Sequence, residues 1–186
     1  MYGAILAIME KGYDDKFDVT TYMVRPRDKE FIMKCLDRFF STVSGCDDLK
    51  ILDCGCGPSL DNSISAAPKA AEIVMADYCK PNRDHMKEWL KGAVKHDLSN
   101  YIKYSRPNIG ADIEKAVAEV ENELRSKTKA VVWCDFTKDK LIEEGYEGPY
   151  DVVMSFLCLE DAAGDSEEYV SNLKRILSLL QVNGTW

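Results

Sequence analysis

A glycine-rich turn follows the first apolar segment that is typical of a buried strand. The segment runs from Leu49 to Cys54 and continues directly into Gly55-Cys56-Gly57-Pro58. Because glycine has no Cβ, the backbone of such a turn can lie close to a ligand. A dinucleotide-binding turn needs a third glycine, and Leu60 occupies that position. The pattern therefore favours a nucleoside ligand without a pyrophosphate.

Polar side chains are predicted at the ends of the next two strands. Asp77 ends the second apolar segment, Asn82 follows it at the start of a helix, and Asp135 ends the third segment. A carboxylate at position 77 can accept hydrogen bonds from a ribose diol. One at position 135 can accept a bond from an adenine amino group, with Phe136 against the ring. Each side chain could instead start a turn or cap a helix, but their placement at successive strand ends favours a ligand site.

Strand-like and helix-like segments alternate along the chain. Continuously apolar strands of this kind predict an α/β fold, with a mostly parallel sheet covered by helices on both faces. Such sheets bind ligands at the carboxyl ends of their strands. The predicted strands are 49–54, 72–76, 130–133 and 150–156, and the predicted helices are 28–43, 62–70, 82–91, 112–127 and 167–180.

Two finer predictions concern the first half of the chain. Residues 1–45 are predicted to form an N-terminal cap segment and helix, and residues 46–186 a ligand-binding domain. Residues 92–110 are predicted to be irregular. The apolar face of the first helix is predicted to consist of Phe31, Ile32, Cys35, Leu36, Phe39 and Phe40.

Charge and cysteine content argue against several kinds of protein. The net charge of -8 disfavours nucleic acid as a partner, and no apolar run approaches the roughly 20 residues that span a membrane. Seven cysteines, several of them in strand-like segments, indicate reduced thiols in a cytoplasmic protein. Cys54 and Cys56 lack further ligands at zinc-site spacing, so no metal is predicted. His85 and His96 are predicted to face solvent.

Several segments together resemble one known family, the nicotinamide, phenylethanolamine and indolethylamine N-methyltransferases, which are class I S-adenosylmethionine-dependent enzymes with a Rossmann-like fold. The similarity extends over residues 17–186. The Asp-Tyr…Asn and Leu-Cys-Leu parts are specific to this group, whereas the glycine turn is common to class I methyltransferases. The segments are Asp53-Cys-Gly-Cys-Gly-Pro58, Glu72-Ile-Val-Met-Ala-Asp-Tyr78, Asn82, Trp89-Leu-Lys91, Cys134-Asp135 and Ser155-Phe-Leu-Cys-Leu-Glu160.

The resemblance implies S-adenosylmethionine as cofactor and a small amine or pyridine-type compound as methyl acceptor. It assigns no catalytic residue and no oligomeric state. The residues at matching positions are Gly55, Cys56 and Gly57 for the methionine part, Asp77, Tyr78 and Asn82 for the ribose, Asp135 and Phe136 for the adenine, and Tyr22 as a cover over the cofactor.

The sequence departs from the family pattern near the implied site. A second cofactor tyrosine is replaced at or next to Arg27, a tyrosine after the glycine turn is replaced by Asp61, and a small hydroxyl residue on the fourth strand is replaced by Phe156. These differences indicate an acceptor unlike those of the mammalian members.

The resemblance also implies a fold that is truncated at the C-terminus. Family members continue beyond a fifth strand, which this chain only begins at Val182-Asn183-Gly184. The fourth strand would then form an open apolar edge, so we expect the chain alone to be poorly soluble or marginally stable.

Two other functions fit the same residues. A nucleotide-dependent oxidoreductase would use a similar sheet, although the missing third glycine disfavours it. A truncated or degenerate methyltransferase-like protein would bind the cofactor or a partner without turnover.

Overall fold

The computed structural model describes residues 18–19, 29–43, 47–105 and 112–181. Tyr22 and the predicted start of a fifth strand lie outside these residues. The strands are β1 (Leu49–Cys54), β2 (Ala70–Asp77), β3 (Thr128–Trp133) and β4 (Val152–Met154). The helices are α1 (Lys29–Thr42), α2 (Ser63–Ala66), α3 (Lys80–Leu90), α4 (Ser99–Ser105), α5 (Ile113–Lys127), α6 (Cys158–Asp161) and α7 (Ser166–Leu177), with a 3₁₀ turn, Ala67–Lys69, after α2.

The four strands form one parallel sheet in the order β3-β2-β1-β4. The strand order reverses beside β1, because β2 and β3 lie on one side of it and β4 on the other. Cys54 is paired with Ala76, and Asp77 is paired with Trp133. The carboxyl ends of β1, β2 and β3 therefore meet at one edge, where such sheets bind ligands.

Successive residues of each strand point to opposite faces of the sheet and fill two hydrophobic cores. Ile51 and Ile73 belong to the first core, which also contains buried residues of α1 to α5. Leu52 and Val74 belong to the second core, with buried residues of α6 and α7. Both faces are therefore covered, as the continuously apolar strands predict.

Helix α1 buries only part of the predicted face, together with Met33, which was not predicted. Met33, Leu36 and Phe40 are buried in the first core, whereas Phe31 is 65% exposed and Phe39 is 47% exposed. Cys35 is also exposed. The helix has more apolar residues than one face can bury, and the 33-36-40 spacing is the one that meets the sheet.

The segment between α3 and α5 contains a helix where irregular structure was predicted. The Asp97 carboxylate accepts a hydrogen bond from Ser99 N at 3.0 Å, which marks the start of α4, and Ile102 is fully buried. His96 is also buried beside Trp89, and its Nε2 lies 3.2 Å from Nε2 of His85. The prediction that His96 faces solvent is therefore wrong.

The remaining predicted elements are present with shifted ends. Helix α3 begins two residues before Asn82, β4 is shorter than predicted, and α7 ends at Leu177. No helix in the described ranges is both long enough and apolar enough to cross a bilayer. The proposed division at residue 45 stays a prediction, although the buried residues of α1 share the first core with β1.

Candidate functional site

The glycine turn after β1 is closely packed against its neighbours. Gly55 has φ +81° and Gly57 has φ +61°, a region that strongly favours glycine. The amides of Gly55 and Cys56 donate to the Ala76 carbonyl at 2.8 and 3.1 Å. A Cβ on Gly55 would lie 2.3 Å from Cβ of Cys158, closer than atoms pack. Glycine is required here both for its backbone angle and for the space.

Asp77 ties this turn to the start of α3. Its Oδ2 accepts a hydrogen bond from Gly57 N at 2.7 Å, and its Oδ1 accepts bonds from Cys79 N at 2.8 Å and Asn82 Nδ2 at 2.9 Å. Burial raises the pKa of this carboxyl, and the three hydrogen bonds oppose the rise. A carboxylate accepts about four hydrogen bonds, so Asp77 keeps room for about one more.

Asn82 presents an unpartnered acceptor at the same place. Its side chain is 4% exposed, and its Oδ1 is buried with no hydrogen-bond partner among the described residues. The bond from Nδ2 to Asp77 fixes the orientation of the amide, since a flipped amide would face oxygen against oxygen. Leaving a buried acceptor unpaired costs about 1–3 kcal/mol, so the geometry indicates a ligand with a donor group.

A second unpartnered polar atom lies at the end of β4. Ser155 directly follows the strand, and its Oγ is buried without a hydrogen-bond partner in the described part of the chain. Met154, the residue before it, is paired with Asp53 of β1. Sequence reasoning gave Ser155 no role, because it lies inside the strand predicted for residues 150–156, whereas the observed strand ends one residue before it.

Asp53 is a functional candidate that sequence reasoning placed only within the glycine motif. It is fully buried and accepts hydrogen bonds from Ser63 Oγ at 2.8 Å and Asn62 Nδ2 at 3.3 Å. Burial raises its pKa from 3.8 to about 6, against the effect of these two bonds. An acidic residue between Leu52 and Cys54 in an apolar strand was the available signal.

Asp135 lies one strand further along the sheet edge. Its Oδ1 accepts bonds from Thr137 N at 2.8 Å and Thr137 Oγ1 at 2.7 Å, so the turn-forming role is confirmed for this oxygen. No described residue donates to Oδ2. The neighbouring Cys134 N donates to the Asp77 carbonyl at 3.3 Å, which joins the two strand ends.

Only some of the predicted cofactor residues are in direct contact with one another. Hydrogen bonds connect Gly57, Asp77 and Asn82 directly, while Phe136 is partly buried in the second core. The Cys56 side chain is buried and turned toward the Gly57 carbonyl, 3.2 Å away, so its backbone is the part available to a ligand. Tyr78 is about half exposed. Their contacts with a cofactor stay predictions.

The thiols and histidines do not form a metal centre in the described ranges. No group of three or more His, Cys, Asp or Glu side chains there is arranged to hold an ion. Cys54 Sγ lies 4.0 Å from Cys134 Sγ, a contact between two free thiols.

Comparison with known sequences identifies relatives along most of the chain. The profile of the NNMT/PNMT/TEMT family matches residues 10–186. Human nicotinamide N-methyltransferase is 31% identical over 154 residues, which cover 82% of this chain and 57% of the human protein. Mouse indolethylamine N-methyltransferase is 29% identical over 185 residues, covering 94% of this chain and 68% of the mouse protein. The chain thus spans little more than half the length of the human relative.

Solved structures resemble the fold at low sequence identity. Magnesium protoporphyrin IX methyltransferase from Synechocystis PCC 6803, solved with bound SAH, has a TM-score of 0.52 and 13% identity, covering 95% of this chain and 66% of that chain. An rRNA methyltransferase from Streptomyces viridochromogenes has a TM-score of 0.51 and 12% identity. The match covers 93% of this chain and 79% of that chain. These likenesses confirm the predicted Rossmann-like class I methyltransferase fold. With a family match over nearly its whole length, the chain belongs to the NNMT/PNMT/TEMT family.

Proposed function

We propose that the chain is the cofactor-binding part of an S-adenosylmethionine-dependent N-methyltransferase acting on a small amine or pyridine-type acceptor. The observation that carries this proposal is the network of Gly57, Asp77 and Asn82, with one buried acceptor left unpaired. Relatives named for nicotinamide, indolethylamine and phenylethanolamine N-methylation support the reaction class.

The residues at the sheet edge fit this cofactor. A ribose diol supplies two donors, which match the remaining acceptor capacity of Asp77 and the free Oδ1 of Asn82. Gly55 and Cys56 would hold the methionine part through the backbone, with Gly57 beside them. Asp135 and Phe136 would hold the adenine, while Tyr78 and Tyr22 are proposed to complete the site.

Charge also favours this cofactor over a phosphate-containing one. Asp53 and Asp77 are buried acids whose pKa values are raised by burial. A positively charged ligand beside them offsets the cost of burying their ionised forms, whereas a phosphate would add to it. The bound cofactor supplies an electrophilic methyl group on a sulfonium centre.

The protein's part in the reaction is positioning and exclusion of water. A pyridine or aniline nitrogen is already neutral at pH 7, so it needs no base, whereas an alkyl amine must first lose a proton. Asp165 is engaged as the N-cap of α7, accepting bonds from Glu167 N and Glu168 N at 2.9 Å. Asp161 is the last residue of α6, the helix that follows β4, and it is exposed. We assign no catalytic residue.

A second candidate is a methyltransferase-like protein that binds the cofactor or a partner without turnover. Phe156 favours it, because this bulky side chain packs against the first core where the resemblance implies a small hydroxyl residue. Phe156 lies two residues after the carboxyl end of β4, on the edge of the sheet at which such folds bind ligands.

Transfer of a labelled methyl group from S-adenosylmethionine separates the two candidates. We expect the purified chain to label at least one compound among pyridines, anilines and primary alkyl amines, and Asp77→Ala to lose this activity. Cofactor binding without labelling of any acceptor would favour the second candidate. Labelling that survives Asp77→Ala would contradict the proposed role of Asp77.

A further inference from the structure

Arg175 binds the turn that follows β3, next to the candidate site. It lies in the last turn of α7, and its guanidinium donates hydrogen bonds to the carbonyls of Phe136, Lys138 and Asp139. Nη1 bonds to the first carbonyl, and Nη2 bonds to the other two, with the bond to Asp139 at 3.3 Å. One side chain therefore joins three backbone positions of the turn to α7.

We propose that Arg175 is a positioning residue for the adenine part of the cofactor and that it acts through Phe136. This inference rests on the proposed function, because it presupposes that Asp135 and Phe136 hold the adenine. Arg175 does not touch the cofactor in this arrangement. It fixes the turn, so that the Phe136 ring keeps one position against the purine.

The ends of the turn are fixed by the backbone, but its middle is not. Asp135 N donates to the Leu141 carbonyl at 2.8 Å, and Cys134 forms an antiparallel bridge with Ile142. The side chains of residues 137–140 between these pairs are exposed, so packing contributes little to their position. The hydrogen bonds from Arg175 therefore anchor the part of the turn that packing leaves free.

Phe136 is the residue through which this anchor reaches the site. Its carbonyl accepts the Nη1 bond from Arg175, and its partly buried side chain packs against the second core, which includes Ile176 of α7. Adjacent residues of α7 therefore contribute to holding both the backbone and the side chain of Phe136. An aromatic ring stacked on a base contributes strongly to affinity, and a displaced ring loses that contact.

Arginine suits this role better than lysine. Its guanidinium presents several N–H donors in a rigid planar fork, so two nitrogens can serve three carbonyls in fixed directions. A lysine ammonium is a single point on a flexible stem and would not hold all three. The guanidinium also stays charged at any pH at which the protein is folded, so the anchor does not depend on pH.

A double-mutant cycle on the affinity for S-adenosylhomocysteine (SAH) tests this role. We expect Arg175→Gln and Phe136→Ala each to weaken SAH binding by at least about fivefold. Because Arg175 acts through Phe136, the double variant should bind SAH as Phe136→Ala does, within about twofold. Two residues with independent effects would multiply their losses, as a general loss of fold stability also would.

Two further variants control for charge and folding. Lys174→Gln removes the neighbouring exposed cation of α7 and should leave the affinity for SAH unchanged. Arg175→Lys keeps the charge without the planar fork and should weaken SAH binding as Arg175→Gln does. Urea unfolding shows which variants are folded, and Arg175→Lys takes the place of Arg175→Gln in the cycle if the glutamine variant does not fold.

The inference is overturned by unchanged SAH affinity in Arg175→Gln, by losses that multiply in the double variant, by a loss in Arg175→Gln with none in Phe136→Ala, or by full affinity in Arg175→Lys. Any of these results in a chain whose unmodified form binds SAH contradicts the inference alone. An unmodified, folded chain that binds no SAH contradicts the proposed function itself, and the inference then fails with it.

Discussion

Gly55 shows how one residue can serve both the backbone and the packing of the site. Its φ of +81° and the nearby Cys158 side chain leave no room for a Cβ. Gly92 has a similar φ of +79°, but nothing lies within 4 Å of its Cβ position. The two glycines therefore separate the cost of the backbone angle from the cost of the clash.

We expect Gly92→Ala to reduce the free energy of unfolding by about 1–2 kcal/mol, the cost of a left-handed alanine. Gly55→Ala should cost about 1–3 kcal/mol more, because overpacking adds to the same strain. Urea unfolding of both variants measures the difference. Equal losses would contradict the packing of Cys158 against Gly55.

Asp53 should make the stability of the chain depend on pH in a defined direction. Folding raises its pKa from 3.8 to about 6, so the folded chain binds the proton more tightly than the unfolded chain. The associated stability is present below the unfolded value and is lost as pH rises through about 6. The difference between these two pKa values corresponds to a loss of about 3 kcal/mol of stability over the whole titration.

The variant Asp53→Asn cannot titrate and should lack this dependence. We expect the unfolding free energy of the unmodified chain, minus that of the variant, to fall by about 2 kcal/mol between about pH 4 and pH 7. Asp139→Asn, a change at an exposed acid, is the control and should show no such trend. A difference that rises with pH would mean that folding lowers the pKa of Asp53, which contradicts the expected effect of its burial.

The hydrogen-bond network of Gly57, Asp77 and Asn82 could be predicted from residue types and their positions in the sequence. Gly57 and Asp77 could be placed together in advance because strand ends in a parallel sheet meet at one edge, and Asn82 follows Asp77 by only five positions. The partner of Asp53 could not be placed in advance, since Ser63 belongs to a short helix whose direction depends on tertiary packing. The lack of room for a Cβ on Gly55 could not be predicted either, because Cys158, which fills that position, lies over 100 positions away in sequence.

At the scale of elements, the strands were predicted well and the helix faces less well. Continuous apolar runs such as β1 have only one plausible environment, a sheet buried on both faces. Helix α1 has apolar residues on most of its circumference, so periodicity alone did not select the buried face. Helix α4 is short and mostly polar, and Ile102 alone among its described side chains is fully buried, which leaves no periodic signal.

The revised orientation of α1 can be tested with two adjacent phenylalanines. Phe40 is 3% exposed in the first core, whereas Phe39 is about half exposed, with its ring centroid 5.1 Å from that of Phe40. We expect Phe40→Ala to cost about 3–5 kcal/mol of stability and Phe39→Ala about 1 kcal/mol or less. Thermal and urea unfolding measure both values. A larger loss from Phe39→Ala would restore the face predicted from sequence.

At the scale of the whole molecule, the reversal of strand order beside β1 brings the site together. β1 supplies the glycine turn, β2 supplies Asp77, and β4 leads to Ser155 and Cys158. Hydrogen bonds within the protein join the ends of β1, β2 and β3. A preformed edge of this kind lowers the ordering cost of binding.

The most direct test of the central claim is calorimetric titration of the chain with SAH, using NADH as the comparison ligand. We expect micromolar binding of SAH and no binding of NADH. Asn82→Ala should weaken SAH binding at least tenfold, because one to two hydrogen bonds are lost. Asn122→Ala, at an exposed asparagine on α5, should leave the affinity unchanged. A folded sample that binds no SAH, or binds NADH instead, would contradict the assignment of this site to S-adenosylmethionine.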